Sequence, residues 1–124
     1  MATILVVEDN AANMKLTILL LETAGHTVIS ATDAEAGLTL AHDEQPDLIL
    51  MDLQLPGIDG LAATALLKRD EATRDIPVIA LTALAMKGDE ERIRAAGCDG
   101  YIAKPLAYRD FLATISAQLV TVPR

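Results

Sequence analysis

A chain of 124 residues that is 52% hydrophobic yet carries only three aromatic side chains, Tyr101, Tyr108 and Phe111, has material for one core, and that core must be aliphatic. A net charge of −8 sets the surface against nucleic acid and anionic membranes, leaving proteins or cations as partners. The single cysteine, Cys98, excludes an internal disulfide and fits a reducing, cytoplasmic setting as a buried structural thiol. No apolar run approaches the roughly 20 residues of a membrane span, and "MATILVVEDN" lacks the basic start of a signal peptide.

Strand-like runs fall at 3–7, 27–31, 47–51, 77–81 and 100–103. Several are apolar nearly throughout, which is how strands covered on both faces read. Helices are predicted between them. The first covers about 11–24, with Asn10 as cap and Gly25 as stop. The second starts at "TDAE", where Thr32 and Glu35 have capping-box spacing, and must end before Pro46. A third covers about 59–69 and a fourth about 86–96, with acids at its start, arginines near its end and Gly97 beyond. The fifth covers about 106–120, after Pro105. A βα unit repeated five times predicts a doubly wound α/β domain, (βα)5, with a parallel sheet and right-handed crossovers. No linker or second domain is visible, so 1–124 reads as one domain without an output module.

Chemically capable residues follow four of the five strands: Glu8 and Asp9, then Asp52, then Thr82, then Lys104. All would meet at the carboxyl edge of the sheet, where open α/β folds bind ligands. Singly, each has a bland explanation as a helix cap, a strand end or a surface amine. Together they fit phosphoryl transfer to a carboxylate. Three crowded acids repel one another by about 4 kcal/mol per pair at 4 Å and an effective dielectric near 20. A hard cation relieves this, and Mg²⁺ (or Mn²⁺ in its place) suits carboxylates, water and phosphate oxygens. Asp9 would hold the metal directly and Glu8 through water; Asp52 would share it and act as nucleophile. Lys104 would neutralise the incoming phosphoryl oxygens, and Thr82 would donate a hydroxyl to one of them. Read alone, Pro105 is an ordinary trans proline opening a helix.

"ILVVEDN", "PDLILMDLQLPGIDG", "IPVIALTA" and "GCDGYIAKP" resemble the receiver domains of two-component response regulators, the CheY-like superfamily, over about residues 2–120. The resemblance implies a five-stranded sheet of order 2-1-3-4-5 and phosphorylation of Asp52 by a phosphohistidine on a sensor histidine kinase or phosphotransfer protein. It further implies that the backbone carbonyl of Gln54 is a Mg²⁺ ligand, that Pro105 is cis, and that Tyr101 is an aromatic switch residue working with Thr82. Output would pass to a protein target through the fourth helix, fifth strand and fifth helix, including Met86, Tyr101 and Tyr108. His26 and His42 are expected at the surface, away from the site, with the phosphohistidine supplied in trans. "ALTALAMKGDEERIRAAGCDGYIAKPL" looks most like stand-alone cell-cycle regulators of the DivK type. The alternatives are a receiver cut from a hybrid kinase and an unphosphorylated pseudo-receiver. A haloacid-dehalogenase-type phosphatase would need a second carboxylate where Gln54 stands, so slow self-hydrolysis is expected rather than enzymatic turnover. A flavodoxin-like cofactor binder would not put "EDNAAN" in its first loop.

Overall fold

A computed structural model describes residues 2–55, 57–82, 87–104 and 108–121. Strands and helices alternate: β1 (Thr3–Val7), α1 (Ala11–Thr23), β2 (Thr27–Ala31), α2 (Ala34–Glu44), β3 (Leu48–Asp52), α3 (Gly60–Arg69), β4 (Val78–Thr82), α4 (Lys87–Ala95), β5 (Gly100–Ala103) and α5 (Tyr108–Thr121). The sheet is parallel throughout, in the order β2-β1-β3-β4-β5. The predicted doubly wound fold and strand order are therefore those observed, with β3 and β4 each one residue later than expected.

Burial explains which runs became central strands. β3 and β4 are buried at every position and β1 at all but its first, while the edge strands β2 and β5 are partly open. Alternate residues of the central strands feed two cores. Leu5, Val7, Ile49, Met51, Val78 and Ala80 meet α2, α3 and Ile93 of α4 on one face. On the other, Ile4, Val6, Leu48, Leu50, Ile79 and Leu81 meet Leu21 of α1 and Phe111 and Ile115 of α5. Among the described residues no helix is long and apolar enough to cross a membrane.

The helix starts are built from short polar side chains. Asn10 caps α1 by accepting from the Asn13 N–H at 2.9 Å, and Asp59 caps α3 by accepting from the Ala62 N–H at 2.8 Å. In α2 the capping residue is Asp33, not Thr32: its carboxylate accepts from the Ala36 N–H at 2.8 Å. The cap thus sits one residue later than the Thr32–Glu35 spacing suggested. A carboxylate there also faces the positive end of the helix dipole. Before Pro46, α2 closes on Gln45 in a left-handed conformation (φ 47°), whose side-chain amide donates to the carbonyls of Ala41 and His42.

At the amino edge of the sheet lies a clamp that the sequence did not announce. Lys68 Nζ donates to the carbonyls of Arg74 and Ile76 and pairs with Asp99 Oδ2 at 3.0 Å. The same Asp99 oxygen accepts from the Val78 N–H at 2.8 Å. The end of α3, the entry to β4 and the turn before β5 are thereby tied together, at the edge opposite the polar residues.

Candidate functional site

The strand register carries the chemistry to one edge. Asp52, the last residue of β3, pairs with Leu81 of β4, and Thr82 pairs with Ala103 of β5. Just past the strands the ladder continues: Glu8 N–H donates to Ala31 O at 3.0 Å, Leu53 N–H to Leu81 O at 3.0 Å, and Lys104 N–H to Thr82 O at 2.8 Å. Glu8, Asp52, Thr82 and Lys104 are thus held by backbone bonds at the carboxyl edge, while Asp9 continues from Glu8 into the loop before α1.

Carboxylate oxygens of Glu8, Asp9 and Asp52 all lie within 4.8 Å of one another. Glu8 and Asp52 are buried, at 1% and 2% exposure, and Asp9 is exposed. Lys104 Nζ bridges the two buried acids, 2.9 Å from Glu8 Oε1 and 3.4 Å from Asp52 Oδ2. Two backbone amides add to the cradle: Gln54 N–H donates to Asp52 Oδ1 at 3.0 Å, and Asn10 N–H to Glu8 Oε2 at 3.3 Å. Even so, burial pushes the Glu8 carboxyl up to about 7. Its hydrogen bond to Asp52 adds to the rise, and Lys104 opposes it. A cation beside these acids would oppose that rise by favouring the charged carboxylate. Three clustered carboxylate oxygens, one of them open to solvent, fit a hard divalent cation in both chemistry and spacing.

The arrangement has known counterparts. The response regulator receiver domain family matches residues 4–116. The chain belongs to that family. This receiver is 51% identical to the polar-differentiation response regulator DivK of Brucella ovis over 117 residues, 94% of this chain and 95% of the relative. Among solved structures, the receiver domain of a Pseudomonas aeruginosa sensor histidine kinase is 34% identical. It superposes with a TM-score of 0.90 over 97% of this chain and 98% of that one, and was solved with a magnesium ion coordinated in its active-site cleft. A response regulator from Chloroflexus aurantiacus is 28% identical with a TM-score of 0.92, over 96% and 98% of the two chains.

Not every expected residue joins the cluster. Gln54 is exposed beside it. Thr82 is buried at the end of β4. Tyr101, half-buried on β5 and paired in register with Ala80, packs on the core face that holds Ile93 of α4 rather than on the acids. The peptide before Pro105, the residues 83–86 that include Met86, and the side chain of Tyr108 lie outside the described residues. His42 is exposed and pairs with Asp43. His26 is more enclosed than expected of a surface residue: half-buried, with Nδ1 accepting from the Ala2 N–H at 3.2 Å and its pKa lowered by burial. Cys98 is buried as expected, its thiol donating to Thr64 Oγ1 at 3.8 Å and pushed up in pKa by burial.

Sequence reading missed the floor of the site. Gly60, the first residue of α3, is buried so close to β3 that a Cβ built on it would lie 2.3 Å from the Asp52 carbonyl oxygen and 2.8 Å from Leu53 Cα. The only sequence signal was the glycine itself, in "GIDG".

Proposed function

We propose that this receiver is a phosphorylation switch in which Asp52 takes a phosphoryl group from a phosphohistidine on a sensor histidine kinase or histidine phosphotransfer protein. The observation that carries the reading is the buried Asp52 carboxylate at the strand end, with Glu8, Asp9 and Lys104 gathered on it. An Asp52 oxygen attacks phosphorus while the P–N bond breaks, its electron pair staying on the imidazole nitrogen. Lys104 takes up charge on the transferred oxygens, and the Thr82 hydroxyl donates to one of them. Glu8, Asp9, Asp52 and the Gln54 carbonyl would hold Mg²⁺, or Mn²⁺ in its place. When bound, that ion supplies the positive charge that the acids and the phosphoryl oxygens together require. Gln54 stands where a turnover phosphatase would need a second carboxylate, so the phosphoryl group leaves by slow self-hydrolysis and the protein is not a turnover enzyme.

The phosphoryl group adds one or two negative charges and an acceptor for Thr82 and Lys104. Two or three charge-assisted hydrogen bonds are of the order of the roughly 5.5 kcal/mol that moves an equilibrium from 1:99 to 99:1. Thr82 moves inward, Tyr101 follows, and the face formed by α4, β5 and α5 changes its preference for a protein target. The 51% identity to DivK over 95% of that regulator favours a cytoplasmic regulator of polar differentiation and the cell cycle.

The test is intact-mass measurement after incubation with acetyl phosphate and Mg²⁺. Wild type should gain a single phosphoryl adduct, and Asp52→Asn and EDTA-treated wild type none. An adduct on Asp52→Asn would move the acceptor elsewhere. No adduct on wild type, with no Mg²⁺ binding, would leave a receiver fold used only as an interaction module.

A further inference from the structure

We propose that the first turn of α3 is a positioning element for the phosphoacceptor: Gly60 is a glycine so that the helix can seat directly against the backbone of Asp52 and Leu53, and Thr64 holds it there. This rests on the reading of Asp52 as acceptor. The start of α3 seats directly on the backbone at the end of β3. A Cβ at Gly60 would come within 2.3 Å of Asp52 O, 2.8 Å of Leu53 Cα and 3.0 Å of Asp52 C. All three are backbone atoms, so no side chain can swing away to make room. The displaced peptide would be the one carrying the acceptor and leading to the Gln54 N–H that fixes Asp52 Oδ1 at 3.0 Å.

The turn is itself pinned. Thr64, fully buried, donates its hydroxyl to Gly60 O at 2.8 Å, and Asp59 caps the same turn through Ala62. Gly57, in the same loop, provides the contrast. Its φ of +74° favours glycine, but a Cβ there meets nothing within 4 Å. One glycine therefore serves the loop's backbone path and the other a contact with the reacting residue's own peptide. Reactions that depend on positioning lose about 100-fold for misplacements near 1 Å, the scale of shift that a 2.3 Å clash demands.

The test compares wild type with Gly60→Ala, Gly57→Ala, Thr64→Val and Thr64→Ser. Three quantities are read: the metal-free amide NMR shift of Gln54, Mn²⁺ affinity by electron paramagnetic resonance, and the phosphorylation rate with acetyl phosphate. Gly60→Ala should move the Gln54 amide resonance, weaken Mn²⁺ at least several-fold and slow phosphorylation 10-fold or more, whereas Gly57→Ala, strained by its φ but free of any clash, should change all three by less. Thr64→Val should move them in the same direction by less, and Thr64→Ser, which keeps the hydroxyl, should restore them. If Gly60→Ala does not fold, the Thr64 pair decides by the same readouts. A folded Gly60→Ala with the wild-type Gln54 resonance and rate overturns the proposal, as does a Thr64→Val indistinguishable from Thr64→Ser. A wild type that takes no phosphoryl group removes the reading of Asp52, and the positioning role with it.

Discussion

Glu8 shows what the site costs before any ion arrives. A carboxyl raised from 4.5 to about 7 in the folded protein binds its proton more tightly there than in the unfolded chain. Its contribution therefore favours the fold most below about pH 4.5 and weakens as pH rises through 7. Glu8→Gln removes the charge that burial disfavours, so metal-free Glu8→Gln should melt about 4 °C or more above wild type at pH 8 and close to it at pH 4.5, by calorimetry. A variant that melts below wild type at pH 8 would mean that the pair with Lys104 outweighs the burial. Because a cation must displace the same proton, Mg²⁺ affinity should fall as pH drops below about 7, which titration calorimetry at pH 6 and pH 8 would reveal. Cys98 makes a plainer case: enclosed and raised in pKa, it should react with a thiol reagent in the native protein only through opening of the fold.

At the level of elements, the strands and helices were legible because their signals are local. Continuous apolar runs marked β1, β3 and β4, and Asn10, Gly25 and Pro46 marked helix ends. The contacts that lock elements together carried no such signal. Lys68 and Asp99 stand 31 residues apart, and nothing near either one names the other. Gly60 reads like any turn glycine until α3 is laid against Asp52. The α2 cap shows a subtler failure, since Thr32 and Asp33 are both capable and only the backbone decides. Two measurements follow. Asp33→Ala should cost about 1 kcal/mol of stability in urea denaturation, and Thr32→Ala much less. Lys68→Met, which leaves the carbonyls of Arg74 and Ile76 and the Asp99 carboxylate without its ammonium, should cost about 2 kcal/mol while leaving phosphorylation of Asp52 intact, because the clamp sits at the far edge of the sheet.

For the molecule as a whole, the site and the fold share one free energy. An ion that binds only the folded state adds about 2.7 kcal/mol at 100 times its dissociation constant, so Mg²⁺ should raise the melting temperature of wild type but hardly that of Asp52→Asn. Signalling should separate from acceptance in Thr82→Ala, which is expected to take the phosphoryl group yet fail to change its binding to a protein target; a phosphorylation-dependent change in target binding equal to that of wild type would remove Thr82 from the switch. The aliphatic core has an optical consequence. With no tryptophan in the chain and its two tyrosines on β5 and at the start of α5, all of the protein's useful ultraviolet emission originates in those two elements. A change in that emission on adding a phosphoryl mimic would be a report from β5 and the start of α5 alone, obtained without attaching a dye.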